Sequence, residues 1–276
     1  MSSSAFQTYV IGADQPVGQH LVRNLTSQGL MYQSIALESQ DKLPASSSGQ
    51  PFFVIIPSLT ESLDPAQVEF WLERAREMDA GVIYLSSLAL FGYRSDGTVK
   101  EDDEQFAETE YAAQLQALEA RVRDNERHVI VRSGQLLALQ NDDFASQLLA
   151  KARVQEPMHV DMQRLFDPTL ADDVADVLFA ILRQLACSDD LFGTYHFSGV
   201  EAVSAFGFAE ALMALASQYE DFSKAELGSQ EGGMMPSPWA ASSDNTRIFH
   251  TFGIKPKAWR QGLGRLLQKY YRVEES

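Results

Sequence analysis

Short apolar runs alternate along the chain with longer segments in which apolar residues recur every three or four positions. The runs are typical of buried parallel strands, and the spacing is typical of helices that bury one face. The first pair is the strand Thr8–Ile11 and a helix that begins near Val17 and ends at Gly29. The same signal predicts further strands at 32–37, 52–56, 81–85 and 128–131.

Helices are predicted between these strands. Asp64 suits an N-cap and Pro65 suits the first helical position, so we expect a helix over 64–78 and another over 110–124. Polar segments at 39–50 and 92–109 are expected to be loops. Because strands and helices alternate as far as Ser133, the pattern predicts an α/β fold with a doubly wound parallel sheet.

The pattern changes in the second half of the chain, where the predicted elements become shorter. Helices are expected at 143–152 and 205–219, short strands at 159–160 and 194–197, and a helix, turn and helix over 245–271. A turn at 166–169 precedes a helix capped near Asp172 or Asp173, and 228–239 is expected to be a loop. These elements are too few for a large independent core, so we predict a small C-terminal α+β lobe on the sheet's carboxyl edge. The sheet domain would comprise 1–155 and part of 165–200, and the lobe about 156–165 and 200–276.

Composition narrows the range of partners. The 276 residues include 22 Lys and Arg against 38 Asp and Glu, a net charge of -16, which disfavours nucleic acid and anionic membranes as partners. The single cysteine, Cys187, cannot form an internal disulfide, which favours a reducing compartment such as the cytoplasm. We expect neither a signal peptide nor a membrane span. The histidines show no metal-ligand spacing, so we expect no metal site.

The turn after the first strand carries the first candidate chemistry. Gly12 and Gly18 stand where a doubly wound sheet brings a pyrophosphate close to a helix N-terminus. The middle position of the GxxGxxG spacing holds Gln15, followed by Pro16, so a side chain stands where the phosphates would come closest. Two interpretations of this turn stay open. It is a dinucleotide-binding site, or it is a tight turn that needs two glycines for its own geometry.

Polar residues follow the second and fourth strands. Glu38 would accept ribose hydroxyls and favour NAD over NADP, or it is an exposed charge at a strand end. Ser86 and Ser87 come at the end of the fourth strand. The carboxyl ends of parallel strands are where open α/β sheets bind ligands, so this edge is the predicted binding edge.

Seven segments spread over most of the chain carry a resemblance to a known family. They are VIGADQPVGQHLV, VIIPSLTESLDPAQ, VIYLSSLALFG, YAAQLQALE, FDPTLADDVADVL, GTYHFSGVEAVSAFGFAEAL and TRIFHTFGIKPKAWRQGL. With them the chain resembles the extended short-chain dehydrogenases, and most closely the dTDP-4-dehydrorhamnose reductase branch. The resemblance implies a Rossmann-like NAD(P)-binding sheet and a lobe that binds a nucleotide-linked sugar. It also implies homodimers that pair through the helices at 64–78 and 110–124.

The resemblance assigns roles to individual residues. Tyr111 would donate the proton to the reduced carbonyl, and Ser87 with Ser86 would hold that carbonyl. The cofactor would lie against Gly12, Gln15, Pro16, Val17, Gly18, Glu38, Pro57, Ser58 and Leu59.

Three departures from the family pattern fall on the cofactor and proton-relay side. The family's lysine, four residues after the tyrosine, lowers the tyrosine pKa and holds the nicotinamide ribose, but this chain has Leu115 there. Each unit of pKa left unshifted is worth about 1.4 kcal/mol. Gln15 replaces the middle glycine, and Pro57, Ser58 and Leu59 replace small residues of the family.

Two functional hypotheses follow. In the first, the protein has impaired or lost reductase activity and binds a nucleotide sugar or a protein partner. In the second, it is an active NAD- or NADP-dependent reductase or epimerase of a nucleotide-linked sugar, with a lysine or arginine from elsewhere in place of the missing one. The lobe segments are compatible with both, since they either bind ligand or pack the fold.

Overall fold

The computed structural model of the protein describes residues 7–40, 51–60, 63–92, 97–140, 143–188 and 190–274. Most of the loop predicted at 39–50, and part of the one predicted at 92–109, lie outside the described residues. The described residues form twelve strands: β1 (Thr8–Ile11), β2 (Tyr32–Ile35), β3 (Phe52–Ile55), β4 (Gly81–Ser87), β5 (His128–Ser133), β6 (Gln135–Leu137), β7 (Met158–Val160), β8 (Leu165–Phe166), β9 (Pro168–Leu170), β10 (Gly193–Phe197), β11 (Val203–Ser204) and β12 (Leu227–Ser229). The α-helices are α1 (Pro16–Ser27), α2 (Pro65–Glu77), α3 (Glu110–Arg123), α4 (Phe144–Arg153), α5 (Ala171–Leu185), α6 (Ala205–Ala216), α7 (Thr246–Phe252) and α8 (Trp259–Glu274).

Six of the strands make the central sheet, in the order β2-β1-β3-β4-β5-β10. Every pairing in this sheet is parallel, and β1 lies between β2 and β3. The chain therefore leaves β1 toward one side of the sheet and continues from β3 toward the other. This confirms the predicted α/β class with a Rossmann-like, doubly wound parallel sheet.

Helices cover both faces of the sheet, as the apolar periodicity predicts. On one face α2 and α3 bury side chains such as Trp71 and Leu118 against the strands. On the other face α1, α5 and α7 bury Leu21, Leu178 and Ile248. The inner strands β1, β3 and β4 are buried along their whole length, which explains why their sequences are mostly apolar.

A third apolar cluster lies in the second half of the chain. Helices α4, α6 and α8 pack around aromatic side chains that include Phe166, Phe208 and Trp259. Trp259 is fully buried, and its indole N–H donates to the carbonyl oxygen of Glu201 at 2.9 Å. Three pairs of short strands, β6 with β9, β7 with β12 and β8 with β11, border this cluster. The division of the chain into two domains at the predicted boundaries stays a prediction.

The segment around residues 165–173 differs from its prediction. The expected turn at 166–169 is occupied mainly by β8 and β9, which pair with β11 and β6. Helix α5 begins at Ala171 with Leu170 as its N-cap, so Asp172 and Asp173 are not caps. Both carboxylates lie in the first helical turn, where the helix dipole favours negative charge. No helix in the described part of the chain is long and apolar enough to cross a bilayer.

Candidate functional site

A cleft opens at the carboxyl edge of the sheet, where the chain direction changes between β1 and β3. It encloses about 780 Å³, counting its open mouth. Open α/β sheets bind their ligands at this kind of crevice. Seven predicted site residues line it: Gln15, Pro16 and Val17 after β1, Pro57, Ser58 and Leu59 after β3, and Ser87 at the end of β4.

The two predicted glycines lie beneath this wall and are required by the packing of the turn itself. Gly12 has a φ of +82°, and a Cβ there would lie 2.0 Å from the carbonyl oxygen of Ile56. A Cβ on Gly18 would lie 2.1 Å from the carbonyl oxygen of Gly12. Both contacts are far inside van der Waals distance. The glycine pair is therefore explained by backbone packing, whether or not a ligand binds.

The N-terminus of α1 offers few donors to an anion. The backbone N–H of Gln15 donates to the carbonyl oxygen of Gly12 at 3.0 Å, and Pro16 has no N–H. Of the four N–H groups that a helix N-terminus leaves without a helical partner, only those of Val17 and Gly18 remain. The Gln15 amide contacts the neighbouring Asp14 carboxylate at 3.0 Å. A dinucleotide pyrophosphate would meet two backbone donors here.

The cleft holds a single formal charge among the described residues that line it, and that charge is negative. It belongs to Asp143. Its carboxylate accepts from the backbone N–H groups of Ala138, Leu139 and Ser146 at 2.6–2.8 Å and so caps α4. No lysine or arginine side chain of the described residues lines this cleft, so it lacks the charge that usually compensates a diphosphate.

Ser86 and Ser87 point to opposite sides of the sheet because side chains alternate along a strand. Ser87 lines the cleft, and its hydroxyl oxygen accepts from the backbone N–H of Ala89 at 3.1 Å. Ser86 is fully buried and donates to the Glu119 carboxylate at 2.7 Å. The structure therefore places Ser87 at the cleft and Ser86 in a buried polar network on the other side of β4.

Tyr111 and Leu115 lie one turn apart on α3, in the apolar cluster between α2, α3 and the sheet. Tyr111 is 8% exposed and Leu115 is 0% exposed. The residues that line the cleft include Ser87 but neither of these two. The structure thus does not bring Tyr111 to the cleft wall, and the position of the family's lysine is filled by a packed leucine.

Glu38 lies apart from the cleft as well. It is exposed and lies in the turn that follows β2, three residues after the last residue of that strand. The neighbouring Leu37 is held by its backbone: its carbonyl oxygen accepts from the indole N–H of Trp71 at 2.8 Å. In the structure Glu38 is a solvent-exposed carboxylate near the sheet edge.

A buried ion cluster adjoins Ser86, and sequence reasoning did not identify it. Glu119 accepts from Arg132 through Nη2 at 2.7 Å and Nε at 2.9 Å, and from Arg123 at 2.7 Å. Burial alone would raise the carboxyl pKa of Glu119, but the hydrogen bonds and charge of Arg132 outweigh it and hold the pKa below its ordinary value. The available signal was the charged Arg132 directly after the apolar run of strand β5.

His196 completes this cluster from β10. Its Nε2 lies 3.3 Å from an Arg132 nitrogen that can only donate, so Nε2 accepts and Nδ1 carries the proton toward the Val99 carbonyl at 3.3 Å. Burial, with a contribution from the Arg132 charge, lowers the pKa of His196 to about 3. The imidazole is therefore neutral and structural. No group of three or more potential metal ligands occurs among the described residues.

Comparisons with known proteins agree with the fold. A family model described as the RmlD substrate binding domain matches residues 60–272. The dTDP-4-dehydrorhamnose reductase of Aggregatibacter actinomycetemcomitans is 22% identical over 283 residues, covering 92% of this chain and 96% of the relative.

Solved structures with similar folds cover nearly the whole chain. The dTDP-4-dehydrorhamnose reductase of Bacillus anthracis str. Ames, in complex with NADP, superposes with a TM-score of 0.76 at 17% identity, covering 98% of this chain and 100% of its own. MoeE5, in complex with UDP-glucuronic acid and NAD, gives a TM-score of 0.77 at 18% identity, covering 97% and 99%.

Proposed function

The chain belongs to the family of the RmlD substrate binding domain, and from that premise we propose that it binds a nucleotide-linked sugar without efficient reductase chemistry. One observation carries the proposal. Leu115, fully buried, occupies the position of the relay lysine, and Tyr111 lies outside the cleft wall. The protein would be a binding protein on a reductase scaffold.

The chemistry of ketone reduction explains why this observation supports the proposal. Hydride transfer leaves an alkoxide that needs a proton at once, and a tyrosine is an efficient donor only when a nearby cation lowers its pKa from about 10. The described residues of the cleft wall offer no cation to replace the missing lysine. A leucine in the relay position also offers no donor to the nicotinamide ribose.

The polar groups that remain in the cleft suit a sugar. Ser87, Gln135 and Gln140 present a hydroxyl and two amides, which donate to and accept from sugar hydroxyls without adding charge. Apolar walls from Leu59 and Pro238 would cover the less polar faces of such a ligand. These groups support binding and orientation, which need no proton transfer.

A second function is favoured by the shape of the turn after β1. Gly12 and Gly18 permit the tight turn that brings the first residues of α1 to the cleft, and Ser87 faces the same space. The relative from Bacillus anthracis was solved with NADP and MoeE5 with NAD. An active NAD- or NADP-dependent reductase or epimerase would use these features, with Tyr111 reaching the cleft by a rearrangement of α3.

The deciding experiment combines titration calorimetry with a turnover assay. We expect dTDP-glucose to bind with a Kd below about 100 μM, close to -5.5 kcal/mol. NADH and NADPH should give no turnover with a dTDP-linked 4-keto sugar, and Tyr111→Phe should leave sugar binding unchanged.

Cofactor-dependent turnover that disappears in Tyr111→Phe would overturn the proposal in favour of the reductase. Ser87→Ala provides the matched control, because this hydroxyl lines the cleft and its loss should weaken dTDP-glucose binding. A folded protein that binds neither sugar nucleotide nor cofactor would point to a protein partner. Sedimentation of the same samples would test the expected homodimer through α2 and α3.

A further inference from the structure

The charge of the cleft conflicts with the ligand that the family model suggests. A nucleotide-linked sugar carries a diphosphate, yet the one charged residue among the described residues of the cleft wall is Asp143. The whole chain carries a net charge of -16, which repels anions further. An anionic ligand therefore needs a positive site close to the cleft.

A side pocket of about 680 Å³, counting its open mouth, adjoins the cleft on the other side of Pro16. It lies between α1 and α8, and it shares Pro16, Ala138 and Gln140 with the cleft wall. The two spaces therefore lie side by side along these three residues. The remaining wall includes two basic side chains, His20 from α1 and Lys269 from α8.

Lys269 is the available cation of this side pocket. It is exposed, and no hydrogen bond or close ion pair joins it to a described residue, although its charge acts on the nearby Asp172 carboxylate. The adjacent Tyr270 forms part of the wall, and its hydroxyl accepts from Arg153 at 3.0 Å. An exposed ammonium group beside an aromatic wall can bind a phosphate as a point charge.

The surroundings of the side pocket are positive in spite of the acidic composition. Burial would raise the pKa of the Asp172 carboxyl, but a hydrogen bond from His20, with smaller contributions from the charges of His20, Lys269 and Arg23, holds it below its ordinary value. The next two acidic residues of α5, at positions 173 and 176, are held by Lys257 at 2.7 and 3.2 Å. Three basic groups thus act on a single carboxylate next to the pocket, and His20 contacts it directly.

We propose that the side pocket between α1 and α8 binds the phosphate groups of the ligand, with Lys269 as the main contact, while the uncharged sugar occupies the neighbouring cleft. The assignment of the sugar rests on the proposed function, and the assignment of the phosphate rests on the side pocket alone. The ligand class is a phosphorylated sugar or a nucleotide diphosphate sugar. Its phosphates would lie beside His20 and Lys269, one helical turn into α1, instead of at the two donors of the α1 N-terminus.

Lys269→Gln tests the inference, with Lys224→Gln as the matched control. Both lysines are exposed, both changes remove one positive charge, and Lys224 does not line either pocket. Calorimetric titrations would use inorganic pyrophosphate and dTDP-glucose as separate probes. We expect Lys269→Gln to weaken pyrophosphate binding by about fivefold to tenfold at low salt, and Lys224→Gln to change it less than twofold.

The two probes separate failure of this inference from failure of the proposed function. Binding of dTDP-glucose that is equally strong in wild type and Lys269→Gln would overturn the side pocket and leave the proposed function standing. Pyrophosphate binding that depends on Lys269, without any binding of dTDP-glucose, would support the side pocket and overturn the proposed function. Absence of pyrophosphate binding to the wild type, or equal weakening in both variants, would overturn the side pocket.

Discussion

Tyr84 carries a hydroxyl that has no hydrogen-bond partner among the described residues, although the side chain is fully buried in β4. Burial raises the pKa of this phenol well above its ordinary value, so the group is a neutral hydroxyl at any physiological pH. A buried polar group without a partner opposes folding, because unfolding returns it to water. The Tyr84 hydroxyl thus lowers the free energy of unfolding from within the core of the sheet.

Tyr84→Phe should leave the free energy of unfolding unchanged or raise it by about 1 kcal/mol, because the change removes only the unpaired hydroxyl. Tyr195→Phe is the matched control, since the hydroxyl of Tyr195 donates to the Leu191 carbonyl at 3.0 Å. The control should lose about 1 kcal/mol. Urea unfolding of the two variants measures both values, and a larger loss for Tyr84→Phe than for the control would contradict the assignment.

At the scale of elements, the turn between β1 and α1 is fixed by contacts of backbone with backbone. The position of a Cβ on Gly18 is occupied by the carbonyl oxygen of Gly12, which cannot move without disturbing β1. Helix α8 contains the contrasting case, Gly264, around which no atom lies within 4 Å of an added Cβ. Comparing Gly18 with Gly264 therefore tests whether a glycine is required by packing or can be replaced without a clash.

Gly18→Ala should lower the free energy of unfolding by about 2–3 kcal/mol, because the new methyl group forces the turn apart. Gly264→Ala should raise it by about 0.5–1 kcal/mol, because alanine lowers the backbone entropy of the unfolded chain in a helical position. Thermal or urea unfolding of both variants provides the measurement. Equal effects would mean that the turn can relax around a side chain.

The elements that the sequence predicts well are those whose signal is local. Continuous apolar runs located the first five strands of the sheet, and apolar spacing located α1, α2 and α3 to within about two residues. Strands β8 and β9 were missed because each has only two or three residues and exists through its partner strand. Asp172 was taken for a cap because carboxylates are common both there and in the first helical turn.

The part of the candidate site that depends on local sequence signals was also predictable, and the part that depends on contacts between distant segments was not. The loops after β1 and β3 and the end of β4 follow from the topology, so the residues on them meet in one cleft. The direction of Tyr111 and the pairing of Arg132 with Glu119 and His196 depend on contacts between distant segments, which single-sequence patterns do not encode. The positive side pocket was also missed, because α8 meets α1 only in the folded chain.

At the scale of the whole molecule, the buried cluster around Arg132 joins parts of the chain that are far apart in sequence. Glu119 comes from α3, Arg132 from β5 and His196 from β10, and the Glu101 carboxylate accepts from the backbone N–H of His196 at 3.0 Å. This network makes the stability of the whole fold depend on pH. Within it, burial lowers the pKa of His196 from an ordinary 6.5 to about 3, whereas burial raises the pKa of Glu101, which contributes with the opposite sign.

Between pH 6.5 and 4.5 the unfolded chain binds a proton at this histidine while the folded chain does not, so stability should fall as the pH falls. The slope is about 1.4 kcal/mol per pH unit for one such group. His196→Asn should flatten the dependence of the free energy of unfolding on pH within this window, measured by urea unfolding at several pH values. Partial burial also lowers the pKa of His128, which contributes with the same sign in both proteins. An unchanged slope would contradict the assigned role of His196.

The close backbone packing of Gly12 against the Ile56 carbonyl, and of Gly18 against the Gly12 carbonyl, affects how such sequences evolve. The glycines are held by the shape of the first turn, so purifying selection for a stable fold retains them after selection for catalysis has relaxed. The relay lysine has no such protection, because a leucine packs well in its place. In lineages that descend from reductases, we therefore expect the two glycines to be retained after redox activity is lost. Replacement of the relay lysine is the better indicator of that loss.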